Sequence, residues 1–567
     1  MAETLISPGV LARENDQSFI TQQPVTVGAA IIGPTVKGPV EVPTVVTTYS
    51  DYLNKFGNTF LSGGQEYSYF TSIAAYNYFQ QGGETLLVAR VASGSWAPAS
   101  ASIAAINTSA SFTLKTFSEG TIMNNSGSLG TNGILSSGSA DNIRWQITGV
   151  DTGSGQFSLL IRQGNDTTTE PIVLETWSGL SLDPTQDNFI AKVIGDSYQQ
   201  YNSTENFIET IGNYPNNSRY VYVSAVTNPT PYFFDNNGTA KAAFQPYIPA
   251  AASGAFAGAL GDLYYGAGAL YYSQSAGTTN IQGIDASDYD NMISLMANQD
   301  DYRFNVITAP GLTLQDNTTQ TTALVNAVQS RGDALAVVDP SPYASAISQV
   351  ITDATSVNSS YAAAYWPWLQ TIDPGTGQLV WVPASTMIPA VYAFTDSVSE
   401  PWFAPAGINR GGLDTVVRAE RKLSQTNRND LYTGNVNPIA TFPGTGVVVY
   451  GQKTLQKKSS ALDRVNVRRL LISLKSYISQ VANNLVFEQN TIATRNQFLS
   501  QVNPYLESVQ QRQGLYAFRV IMDDSNNTPD VIDRNQMIGQ IYLQPTKTAE
   551  FIYLDFNILP TGATFPA

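Results

Sequence analysis

Apolar positions change their spacing several times along the chain, and each change marks an element. Val25 to Ile32 is strand-like, Tyr67 to Gln81 carries Phe70, Ala74 and Tyr78 one helical turn apart, and Thr85 to Val91 is strand-like again. This strand, helix, strand order predicts the opening of an α/β layer. From Ser93 the pattern shifts to short alternating runs, such as Phe112 with Leu114 and Ile143, Trp145 with Ile147. Turn clusters including Asp151 to Gly155 separate them, so residues 93–200 are predicted to form an all-β insertion.

The α/β rhythm resumes after residue 200. Tyr220 to Val226, Phe304 to Ala309 and Ala334 to Val338 each end in a proline-containing loop and read as buried parallel strands. Residues 24–92 and 201–400 are therefore expected to form one discontinuous α/β domain, with the small-residue stretch Ala250 to Tyr272 as a buried or interfacial loop and helix. Beyond residue 401, Leu470, Leu474, Ile478, Val481 and Leu485 draw one apolar stripe along a helix. A second helix is predicted over Thr491 to Gln510, broken or kinked near Pro504, followed by strands over Leu515 to Met522 and Met537 to Leu543. This makes 401–547 an α+β C-terminal domain.

The ends of the chain differ from the rest. Residues 1–23 hold no periodic apolar pattern and read as an extended arm. Near the other end, Ile552, Leu554, Phe556 and Ile558 alternate with polar or amphipathic residues in a half-buried strand pattern. Such a strand can close its own domain, or residues 548–567 can act as an arm that donates it to the sheet edge of a neighbour. The whole is a multidomain α/β and α+β chain with an all-β insertion and two terminal arms.

Composition narrows the chemistry. The 567 residues suffice for roughly three or four domains. There is no cysteine and no histidine, which excludes disulfides, thiol nucleophiles, Cys/His zinc sites and histidine-based triads. No catalytic, cofactor or metal residues are predicted. The net charge of −15 argues against nucleic acid and anionic lipid as partners, and no stretch reads as a membrane span. Met1 to Gln17 lacks an apolar core of signal-peptide length, so synthesis and folding in the cytoplasm are expected.

Positive charge concentrates in residues 408–475, which carry twelve Lys and Arg against four acids. A solvated face, a nucleic-acid patch and a docking surface for an acidic protein are all open to such a segment, and its interleaving with apolar helix positions favours docking. Gly446 to Thr454 imitates a phosphate loop, but Gln452 parts glycine from lysine and Val447 to Tyr450 reads as strand. Asp523, Ser525 and Asn527 have calcium-loop spacing without the glycine and glutamate such a loop needs.

Several segments, in order, resemble the tail sheath family of contractile bacteriophages and related contractile injection machines. They are Ser7-Pro8-Gly9-Val10 with Glu14-Asn15-Asp16, Gly33-Pro34 with Gly38-Pro39, and Ala404-Pro405-Ala406-Gly407. The series continues with Phe442 to Gly446, Tyr450 to Leu455, Arg464 to Arg469 and Asn526 to Pro529. Leu11 and Tyr450 replace an aromatic residue and a tryptophan of the family pattern. The resemblance implies a subunit of stacked rings around an inner tube, assembled in the host cytoplasm as part of a virion tail and contracting to drive the tube through a host envelope. It implies as partners further copies of this chain, the tube protein, and baseplate and terminator proteins. Arms would add strands to a neighbour's C-terminal sheet, the insertion would face outward, and Arg468, Arg469 and Lys475 become candidate tube-facing residues. Two other readings remain: the sheath of a phage-like bacteriocin or injection device, and a virion-associated polysaccharide hydrolase.

Overall fold

A strand whose residues are all apolar is stable only where both faces of its sheet are covered. Ala362–Trp366 is such a strand, and Leu86–Arg90 and Leu335–Asp339 are so up to the charged residue that ends each; all three are buried at every residue. In the structure, a computed structural model that describes residues 26–62, 65–262 and 280–551, they lie inside an eight-stranded sheet. Its spatial order is Thr44–Val46, Leu86–Arg90, Thr26–Gly33, Arg303–Thr313, Leu335–Asp339, Ala362–Trp366, Val436–Phe442 and Gly446–Val449. The six inner strands run parallel and the two edge strands antiparallel.

Alternate residues feed two cores. Ala30, Ile32, Leu87 and Val338 meet Met292, Leu324 and Val328 on one face. Ala29, Ile31, Val88 and Val337 meet Phe56, Phe70, Ile388 and Tyr392 on the other. The helix Phe70–Gln80 makes the first crossover, as its spacing predicts, and Thr318–Arg331 makes a later one. The latter stops at Gly332, whose left-handed φ of 73° lets its N–H reach the Val328 carbonyl, a conformation that costs a residue with a Cβ.

Between Arg90 and Asn280 the chain leaves this sheet and builds two antiparallel four-stranded sheets. One runs Val173–Ser181, Gln156–Gln163, Ile143–Asp151, Ala252–Ala255; the other runs Val221–Val226, Ala110–Glu119, Ser93–Ala104, Leu260–Asp262. They share a core in which Phe112 stacks on Phe157 at 5.6 Å. The β insertion therefore runs on past residue 200. The expected parallel strand at 220–226 instead pairs antiparallel with Ala110–Glu119, because only Val221, Tyr222 and Val223 of that run are buried. A short apolar run fits either setting, and length alone does not separate them. Residues 252–255 and 260–262 are strands, not the expected loop and helix.

The departing and returning strands of the insertion are neighbours, with Ser93 paired to Asp262. Ser93 Oγ also bonds the Asp288 carboxylate, and the backbone N–H of Asp285 donates to Ser93 Oγ at 3.2 Å. Arg90 pins the seam from the other side: its guanidinium donates to the carbonyls of Gly38 and Glu119, and burial pushes its pKa down to about 10.

The C-terminal region also departs from expectation. Val436–Phe442 and Gly446–Val449, expected from the sequence to lie in a separate 401–547 domain, instead extend the central sheet. Residues 413–431 also pack into the cores of the body, and beyond them helices Val465–Asn483 and Ile492–Gln511 pack as a hairpin against a two-stranded ribbon of Leu515–Ile521 and Gln540–Pro545. Leu470, Leu474, Val481 and Leu485 face Phe498, Val502 and Leu506 in one small core, and Ile478 packs at its border. Pro504 lies inside the second helix, which runs on to Gln511.

Candidate assembly surfaces

The basic segment is the first candidate surface. Arg468 and Arg469 occupy the first turns of Val465–Asn483 beside Val465, Val467 and Leu470, on the side that packs against the body. Both are buried, at 3% and 4% exposure. A buried guanidinium requires partners. Arg468 donates to Ser360 Oγ and stacks 4.0 Å from the Tyr361 ring, while Arg469 grips both oxygens of Asp396 at 2.8 and 2.5 Å over Tyr392. Burial lowers the Arg468 pKa, partly opposed by Tyr361.

These two arginines therefore hold the C-terminal helix to the body and are not presented to a tube, which corrects the expectation for them. Lys475 does reach the surface, with Nζ 3.1 Å from the Tyr361 hydroxyl. Much of the remaining positive charge is also used within the chain. Arg410 lies over Phe403, Arg418 over Trp381, Arg428 over Phe442 and Lys453 over Tyr432. Lys422, Lys457 and Lys458 are exposed.

The ribbon is the second candidate. Among the described residues its two strands pair only with each other, so both outer edges leave backbone donors and acceptors open. Its inner face sets Phe518, Val520, Ile541 and Leu543 against the helical hairpin. Tyr516 and Tyr542 stand out at 64% and 56% exposure. The segment between the strands is tied by Asn527, which is buried and both donates to and accepts from the Ile538 backbone at 2.9 and 2.8 Å. Asp523 accepts from the Ser525 N–H and hydroxyl in the same turn, which accounts for the spacing that imitates a calcium loop.

The third feature lies where the chain leaves the ribbon. The Thr546 N–H donates to the Gly514 carbonyl, and Gln452 Nε2 donates to Thr548 Oγ1 at 2.7 Å. Glu550 then enters a cradle of side chains. It accepts from Arg464 Nε at 2.7 Å, Gln452 Nε2 at 3.0 Å and the Tyr432 hydroxyl at 2.5 Å. Burial alone would raise the Glu550 carboxyl, but these three hydrogen bonds outweigh it and hold the carboxyl below its usual 4.5. Tyr432, Gln452 and Arg464 come from three segments that sequence spacing does not link, though two of them lie in the motifs that carry the family resemblance. The arm 1–23 and the strand residues Ile552, Leu554, Phe556 and Ile558 lie outside the described residues.

Comparison with known proteins covers the same region. Residues 282–455 match the phage tail sheath protein central domain and residues 457–559 the phage tail sheath C-terminal domain. The tail sheath protein of Vibrio phage KVP40 is 40% identical over 217 residues, which are 38% of this chain and 32% of that protein. That of Enterobacteria phage T4 is 37% identical over 210 residues, 37% of this chain and 32% of that protein. The chain thus spans about a third of the length of these relatives. In fold, a crystal structure of a sheath tail protein from Listeria innocua is similar over 92% of this chain and 96% of its own, with a TM-score of 0.53 at 10% identity. Residues 282–559, with the sheet strands, helical hairpin and ribbon that they contain, thus match the central and C-terminal domains of the phage tail sheath family.

Proposed function

We propose that this protein is the structural subunit of a contractile tail sheath, polymerising through its terminal arms around an inner tube and contracting to drive that tube through a host envelope. The observation that carries the reading is the ribbon within the family's C-terminal domain, with two open edges on a rigid helical support. A two-stranded ribbon gains main-chain hydrogen bonds from every strand added, and three or more strands are needed for an independently stable sheet. A strand supplied by residues 552–558 of one copy to the ribbon of the next would link subunits while leaving their bodies free to move as rigid units.

The partners are further copies of the chain, a tube protein, and baseplate and terminator proteins at the ends of the sheath. Exposed Lys422, Lys457, Lys458 and Lys475 are among the positive charges of the 408–475 segment available to an acidic tube face. The working cycle needs no catalytic group, because the energy of contraction resides in the interfaces between subunits. Deleting residues 552–567 should give a folded monomer that forms no tubes by negative-stain electron microscopy. Regular tubes from the truncated chain would overturn the arm reading.

A further inference from the structure

Glu550 is five residues past the end of the ribbon, yet its side chain is tied back to the body. Its carboxylate is bound by three side chains from three separate segments, and one of them, Gln452, is itself 3% exposed and also grips Thr548. The cradle is braced in turn. Lys453 Nζ donates to the Tyr432 carbonyl at 2.8 Å, and Arg464 Nη1 pairs with Asp463 at 3.0 Å. Such a site is built for a carboxylate: a guanidinium, an amide N–H and a phenol converge as donors on one point.

We propose that Tyr432, Gln452 and Arg464 form a carboxylate-binding anchor, occupied by Glu550 of the same chain, that fixes where the C-terminal arm leaves the body. Without the anchor, the last tie of the segment among the described residues is the Thr546–Gly514 hydrogen bond, and the arm starts several residues earlier with correspondingly more slack. A strand delivered from a fixed origin arrives in one register, whereas slack raises the entropy lost on pairing and admits neighbouring registers. The inference rests on the arm reading of the proposed function and adds to it the residues that aim the arm.

Lys547, exposed and inside the anchored segment, provides a reporter independent of assembly. Trypsin cuts after it only when the segment opens, so the cleavage rate tracks the population of the released state. In the full-length chain, Glu550→Ala should speed release of the 548–567 fragment about tenfold or more, the loss expected for a charge-assisted hydrogen bond. Arg464→Gln should do the same, and the double variant should go no further. Added salt should accelerate cleavage of the parent chain and leave Glu550→Ala unchanged, a signature that general loosening of the fold would not give. Tube formation by Glu550→Ala should fall although residues 552–567 are intact.

Equal cleavage of parent and Glu550→Ala would overturn the anchor, and faster cleavage with normal tubes would overturn its role in aiming the arm. A chain truncated after Phe551 separates the two readings. It should stay protected at Lys547 because the anchor is intact, so tubes from it would sink the arm reading and leave the anchor standing.

Discussion

Asp339 shows what burial does to a single side chain. It ends a central strand at 2% exposure and accepts from the N–H of Ser385 at 3.0 Å and its hydroxyl at 2.5 Å. Burial dominates these bonds and pushes its pKa from 3.8 to about 7. A carboxyl with a raised folded-state pKa favours folding most when protonated. Its contribution is full below the unfolded value near 3.8 and is lost as pH rises through about 7. Asp339→Asn should therefore flatten the dependence of the melting temperature on pH across that window, and an unchanged slope would refute the assignment. At this scale the sequence was only partly legible. The apolar strand residues announced their burial, whereas Arg468 and Arg469 did not. Their partners Ser360 and Asp396 lie 108 and 73 residues away, so the charge run looked like a surface when its guanidinium groups were internal clamps.

Among elements, the proposed function assigns stability to the helical hairpin and assembly to the ribbon. Leu506 is fully buried between the two helices, and Leu506→Ala should cost about 2–5 kcal/mol of the C-terminal unit's stability in denaturant unfolding. Tyr542 on the ribbon's outer face is more than half exposed, and Tyr542→Ser should change stability by less than about 0.5 kcal/mol while reducing tube formation. The opposite pattern would mean that the ribbon face is structural. Elements with strong periodicity were read correctly from the chain, the stripe of Leu470, Leu474, Val481 and Leu485 above all. Among short apolar runs, Phe304 to Ala309 and Ala334 to Val338 form parallel strands as expected, but others were not placed correctly. Val221–Val226 and Val436–Phe442 each carry enough apolar residues to be strands, but which sheet receives them is decided by partners more than a hundred residues away for the first and about seventy for the second.

For the whole molecule, the eight-stranded sheet and its two cores are assembled from segments on both sides of the insertion, and the insertion has a core of its own. Replacing residues 93–262 by a short Gly/Ser linker should leave a chain that melts cooperatively and retains the helical signal of the body in far-UV circular dichroism. Loss of cooperativity would show that the insertion supports the body through more than the seam at Arg90 and Ser93. That seam has a wider consequence. Ser93 and Asp262 sit side by side, so the first and last strands of the insertion among the described residues meet at one strand spacing, about 4.8 Å. Any module whose own ends lie that close can be plugged into the same socket. Exchange of the segment between these strands can thus replace the insertion while the central sheet and the helical hairpin keep their own sequences.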